Sequence, residues 1–222
     1  MPVEIHQILR SKRKTIALII QKDGTLLVRA PRWISGKAIR EFAEKHSGWI
    51  RDKQAQVRAA LPPPAKQYIP GEKFPFLGRE YPLEIVKEQK PALVLDTNFK
   101  LAESAQGNAE QAFQLWYREQ ATEIITGRVH WFADRHNLQY QKIRISSART
   151  RWGSCSPTGA LSFSWRLILM PMEMVDYVVV HELVHTLVHN HSKRFWDQVE
   201  QILPDYRERR KWLRQNGQKV ML

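Results

Sequence analysis

The sequence holds a single cysteine, Cys155, in 222 residues. An intramolecular disulfide is therefore excluded, and a reducing compartment such as the cytoplasm is the expected home. Cys155 itself reads as a small packed residue rather than a nucleophile. Long apolar runs are missing as well: none reaches about 18 residues, so no membrane-spanning helix and no membrane partner is expected. The opening MPVEIHQILRSKRKTIALII interleaves basic and apolar residues and lacks the basic, apolar and small-residue order of a secretory signal. There is no internal repeat and no low-complexity tract. Acidic residues are few against basic ones, 22 against 35, for a net charge of +13. That excess suits polyanionic partners (nucleic acid, nucleotides or an anionic surface) without selecting among them.

What is present is ordinary for a globular protein: 43% hydrophobic and 26% charged residues, with eight tryptophans that point to packed cores. The length suits one large domain or two small ones. TIALIIQKDGTLLVRAP reads as two strands around an Asp23-Gly24 hairpin turn. ISGKAIREFAEKHSGWIRDKQAQV reads as one helix, capped by Ser35, with Ile39, Phe42, Trp49 and Ile50 inward and Gly48 a weak point. LPPPAKQYIPGE is a stiff connector, followed by short strands in FPFLGREYPLEIV, ALVLD and FKLA. QAFQLWYREQATEIITGRVHWFADRHN has helical spacing through Phe113, Trp116, Tyr117, Ile124, Val129 and Phe132. KIRISS and GALSFSWRLIL read as strands flanking a loop, ARTRWGSCSPT. These elements divide the chain into a β-hairpin-plus-helix region (1–61), connector and short strands (62–108), and a mixed helix-and-strand domain (109–222).

Four of the eight histidines fall between residues 181 and 191. MPMEMVDYVVVHELVHTLVHN reads as a helix beginning near Pro171, with Val180, Leu183, Val184, Leu187 and Val188 as one apolar stripe. His181 and His185 lie beside that stripe; at this spacing their Cβ atoms are about 5–6 Å apart, close enough to share an ion. Glu182 between them completes HExxH, in which two neutral imidazoles hold zinc and a glutamate takes a proton from water. A third ligand is needed. His189 continues the series, but on an unbroken helix its Cα is about 12 Å from that of His181, too far along one line to close a tetrahedral face. A left-handed turn at Asn190 would bring His191 over the ion instead. Asp197 or Glu200 in the next helix is the remaining option.

The spacing His181, His185, His191 is that of HExxHxxGxxH enzymes, with Val188 where that motif has glycine. RWGSC, VVVHELVH, NHSKRFW and PDYRERRKWL together resemble the YgjP-like, WLM-related metal-dependent hydrolases; RSKRKTIALII, VRAPRWIS, GWI and LGREYPLEI match more loosely. SprT-like DNA-associated proteases are similar to the same region, more distantly. The resemblance implies an α+β fold: a zincin-like domain of HExxH helix and small sheet, preceded by an N-terminal β-rich region with one helix. It implies one Zn²⁺ per chain on His181, His185 and His191, with Glu182 as acid and base. Ser164 stands where the family often has asparagine, with no expected effect on the metal. Arg149, Arg151, Tyr177, His189 and Tyr206 are the candidates for steadying negative charge on a substrate. The expected substrate is a polypeptide; a nucleoside triphosphate or similar phosphate ester is the alternative, favoured by the arginines of ARTRW and YRERRKWLR, and nucleic acid could be recruited by the basic surface.

Overall fold

The computed structural model of the chain describes residues 3–60 and 65–217. The triple proline of the connector thus lies outside the described residues. The chain divides into two compact units, residues 1–63 and 64–222.

In the first unit, β1 (Gln7–Ser11), β2 (Ala17–Ile20) and β3 (Leu26–Pro31) form a sheet in the order β1-β3-β2. β2 and β3 are the expected antiparallel hairpin, and Gly24 at φ 84° makes its turn. The single expected helix is two, α1 (Gly36–Lys45) and α2 (Ser47–Ala60), broken at His46. Ser35 does cap α1, its Oγ accepting from the Ala38 amide at 3.1 Å. The break at His46 resets the helical phase: Ile39 and Ile50 are buried, but Trp49 is 48% exposed.

The second unit carries the larger core. β4 (Lys73–Phe76), β5 (Arg79–Val86), β6 (Leu93–Leu95) and β7 (Phe99–Ala102) form a sheet in the order β4-β5-β7-β6. Phe74, Leu83, Leu93 and Phe99 of this sheet share one core with the helices that follow. The long helix α3 (Ala109–His136) buries Phe113, Tyr117, Ala121, Ile125, Val129 and Phe132, and ends at Asn137 in the left-handed conformation. Trp116 and Ile124 only flank this stripe. Of the tryptophans, Trp165 is fully buried, whereas Trp33 and Trp131 are exposed.

β8 (Lys142–Ser146), β9 (Gly153–Cys155) and β10 (Ala160–Ser164) make the third sheet, in the order β8-β10-β9. Within the segment read as a loop, Gly153–Cys155 is therefore a short strand. GALSFSWRLIL is a strand only to Ser164; Trp165–Leu169 winds into a 3-10 turn, every residue of it buried. Ser164 Oγ donates to the Ala148 carbonyl at 2.7 Å, tying β10 to the loop before β9.

From the buried 3-10 turn the chain enters α4 (Met172–Val184), then α5 (Lys193–Ile202) and α6 (Tyr206–Asn216). The tight β4–β5 turn buttresses this entry. The Leu77 amide donates to the Ile168 carbonyl at 2.8 Å. Gly78, at φ 77°, comes so close to Pro171 that a Cβ would sit 2.7 Å from the proline ring. Arg128 of α3 then grips Asp176 of α4 with two hydrogen bonds, 2.6 and 2.9 Å. α4 is not the amphipathic helix its spacing predicts. Met174, Val175, Tyr177 through Val180 and Glu182 through Val184 are all buried, because α3, α5, α6 and β9 surround it.

Candidate metal centre

α4 ends at Val184, a turn and a half earlier than its sequence predicts. The tightening is local chemistry. Thr186 Oγ1 donates to the Leu183 carbonyl at 2.8 Å, and the Thr186 and Leu187 amides donate to carbonyls only three residues back. Leu187, expected in the apolar stripe, is consequently 49% exposed. Asn190 makes no left-handed turn; its Oδ1 accepts from the Ser192 amide at 3.2 Å and leads the chain into α5. The outcome is nonetheless the one the spacing requires, since the chain doubles back and lays His191 over His181 and His185.

The three imidazoles converge through their Nε2 atoms. That of His191 lies 3.0 Å from His181 Nε2 and 3.2 Å from His185 Nε2. An ion with Zn–N bonds of about 2.0–2.1 Å in tetrahedral geometry holds nitrogens roughly 3.3 Å apart, so the set fits. Protons alone satisfy it poorly. His185 Nδ1 is 3.0 Å from the Val188 carbonyl, which can only accept, so Nδ1 carries the hydrogen and Nε2 presents a lone pair. The one proton His191 Nε2 can hold points at one neighbour, not two. Burial, and then the neighbouring His185, His191 and Arg210, hold the pKa of His181 down to about 3, which keeps it a neutral donor. His191 is lowered by burial, His185 and Arg210. Among the described residues this is the one grouping of three or more histidine, cysteine or acidic side chains close enough to share an ion.

Phe195 is the floor. It is fully buried, and its ring lies 4.9, 4.5 and 4.9 Å from those of His181, His185 and His191. Trp196 fixes the third ligand: its Nε1 donates to the His191 carbonyl at 3.1 Å and its ring stacks on the imidazole at 5.6 Å. His191 itself is exposed, leaving the fourth side open to solvent. His181 Nδ1 is buried without a hydrogen-bond partner among the described residues, so that ring is held by packing, Phe195 included.

Glu182 is 6% exposed and points away from solvent, toward β9. Burial pushes its carboxyl up to about 7, against the opposing pull of Arg151. Gly153 makes the space: a Cβ there would stand 2.6 Å from Glu182 Cγ and 2.7 Å from Oε1. No sequence signal short of a glycine inside a strand marks this residue, and such a glycine often means close approach of another group. Gly153→Ala should displace the carboxylate, cutting hydrolysis at least tenfold while the three imidazoles keep their ion; the overpacking should also cost about 1–3 kcal/mol of stability. Metal analysis beside a cleavage assay checks this, and full activity in the variant would remove Gly153 from the site.

The other candidates scatter. Tyr177 is buried with its ring 5.9 Å from His181, and burial raises its hydroxyl to about 12. Tyr206 is buried beneath Trp196, stacked at 5.4 Å. Arg151 is exposed but near enough to Glu182 to lower its pKa. Arg149 is exposed and lies by Arg166, and His189 is exposed on the turn, outside the imidazole group. Asp197 and Glu200 are paired with Lys193 and Arg207 and are not ligands. β10 cannot offer an edge to substrate, because β8 and β9 pair with both its sides. Sequence reasoning quoted the blocks that contain Gly153, Trp196 and Arg210 but gave none of the three a role at the metal centre.

None of the curated proteins compared matches significantly. The crystal structure of the metallopeptidase zymogen of Pyrococcus abyssi abylysin is similar to 44% of this chain and 99% of its own, at 21% identity and a TM-score of 0.39. The model of the YgjP-like metallopeptidase domain matches residues 14–216. With nearly the whole length matched, the chain belongs to the YgjP-like family and carries its metallopeptidase domain.

Proposed function

We propose that the protein is a zinc-dependent peptidase in which His181, His185 and His191 hold the ion and Glu182 moves the proton. The observation that carries this reading is the buried Glu182 carboxyl seated on Gly153, one residue on from His181, together with the convergence of the His181, His185 and His191 Nε2 atoms. When bound, the ion supplies Lewis acidity, lowering the pKa of water and polarising a carbonyl. Glu182 accepts the proton of the water as its oxygen adds to the carbonyl carbon, and returns that proton to the leaving nitrogen as the C–N bond breaks. A carboxyl near 7 is suited to both halves of this exchange at neutral pH. The Nδ1–H of His185 on Val188 holds that ring in place, and Phe195 closes the rear of the site to water. An extended polypeptide is best received along β9, whose outer edge is unpaired among the described residues and which packs on α4.

A second reading, hydrolysis of a phosphate-bearing substrate, is favoured by three arginines around Ser147. Arg118 donates to Ser147 Oγ at 2.8 Å, and Arg166, only 8% exposed, donates to the Ser147 carbonyl at 3.1 Å. Burial and the adjacent Arg149 both lower the pKa of Arg166, and no carboxylate pairs with any of the three among the described residues. A screen of zinc-loaded protein against denatured polypeptides and nucleotides separates the two. Peptide fragments are the expected product; phosphate or pyrophosphate release without fragments would replace the first reading by the second. Nucleic acid, if it recruits the protein, should bind with an affinity that falls steeply as salt rises.

A further inference from the structure

Arg210 lies in the PDYRERRKWL block, outside the HExxH helix, yet its side chain packs beside the metal centre. It lies on α6, and its guanidinium carbon sits 4.4 Å over the ring of Trp196. That ring in turn stacks on His191 and lies 5.9 Å from His181. Two of its neighbours on α6 have carboxylate partners: Arg207 meets Glu200 at 3.4 Å and Arg209 meets Asp205 at 2.8 Å. Arg210 has neither an ion pair nor a side-chain hydrogen bond among the described residues, and it is exposed. Tyr177, whose ring lies 5.9 Å from that of His181, also has no hydrogen-bond partner for its hydroxyl among the described residues.

The site is therefore two-sided. Glu182 is held on the β9 side by Gly153, and Arg210 on the α5–α6 side by Trp196. Addition of water to a peptide carbonyl gives the carbon two oxygens with different needs. One comes from water and loses its proton to Glu182. The other, the former carbonyl oxygen, takes up negative charge and wants a donor on the side away from the base. We infer that Arg210 supplies that donor, its guanidinium fork meeting the oxyanion that forms on the substrate; the inference rests on the hydrolytic reading above. Stacking on Trp196 orients the planar fork without using its donors.

The test compares Arg210→Ala and Arg210→Lys with the wild type at matched metal content. Cobalt-loaded protein is titrated with inorganic phosphate, a tetrahedral oxyanion, and the visible spectrum of the cobalt reports binding at the centre rather than at Ser147. Arg210→Ala should weaken phosphate by about tenfold or more, and Arg210→Lys by less. In polypeptide cleavage Arg210→Ala should lower kcat by about a hundredfold with little change in KM. Added guanidinium ion should restore part of that rate, and potassium chloride at equal ionic strength should not. A residue that merely covers Trp196 predicts no rescue. The inference is overturned if the wild type shows no phosphate response, or if Arg210→Ala binds phosphate as the wild type does. A wild type that binds phosphate in an Arg210-dependent way yet cuts no polypeptide would remove the peptidase reading and leave Arg210 as the oxyanion donor.

Discussion

Glu182→Gln should abolish hydrolysis and leave everything else in place. The amide keeps the size and most of the contacts of the carboxyl against Gly153, so the helix, the imidazoles and the ion should be undisturbed. What it cannot do is accept a proton. General-base catalysis contributes about 10²–10⁴ in rate, and a drop of that order at unchanged metal stoichiometry is the expected result. A variant that cleaves at the wild-type rate would assign the proton to another group and remove the main support of the proposed mechanism.

The same substitution has a second signature in the metal-free protein. The folded state raises the Glu182 carboxyl to about 7 from an ordinary 4.5. The folded protein thus holds a proton that the unfolded chain has released, so the carboxyl destabilises the fold increasingly as pH rises from 4.5 towards 7 and costs its full amount above that. At 1.36 kcal/mol per pH unit that cost is about 3 kcal/mol. Glutamine, which never ionises, escapes it. Urea denaturation of chelator-treated protein should find Glu182→Gln more stable than the wild type at pH 8 and nearly equal at pH 4. A dead enzyme that is sturdier at alkaline pH is the pattern of a buried working acid, and a structural glutamate in an ion pair would give the reverse.

How much of this was legible in the sequence follows from range. Spacing within one helix turn is local, so His181, Glu182 and His185 could be placed from their order alone, and elimination favoured His191 over His189 before any fold was known. The path by which His191 arrives was not legible. It depends on the Thr186 hydroxyl and the His185 ring bonding to backbone carbonyls that a longer helix would have used, and these compete with helix continuation by small margins. The strands at 73–102 show in their alternation and turn residues, whereas the 3-10 turn at Trp165–Leu169 does not, because a run of buried apolar residues has the same appearance in either state. Arg210 and Trp196 act at the centre from two different helices, so no motif of fixed spacing contains both.

The third ligand gives the sharpest test of the arrangement, because His191 and His189 are two residues apart and both exposed to solvent. His191→Ala removes one of three nitrogens that lie within 4.8 Å of one another. Loss of an outer-shell partner alone typically costs 10–100-fold in metal affinity, so loss of a direct ligand should cost more than about 100-fold, and hydrolysis with it. Because the side chain is at the surface, stability of the metal-free protein should change by no more than about 0.5 kcal/mol. His189→Ala should leave metal affinity, activity and stability all unchanged. Competition with a calibrated chelator measures the affinities. Equal losses in the two variants would mean that the chain closes on the ion by a different turn; a loss confined to His189→Ala would place the third imidazole on the helix axis, where three side chains in line cannot share one tetrahedral ion.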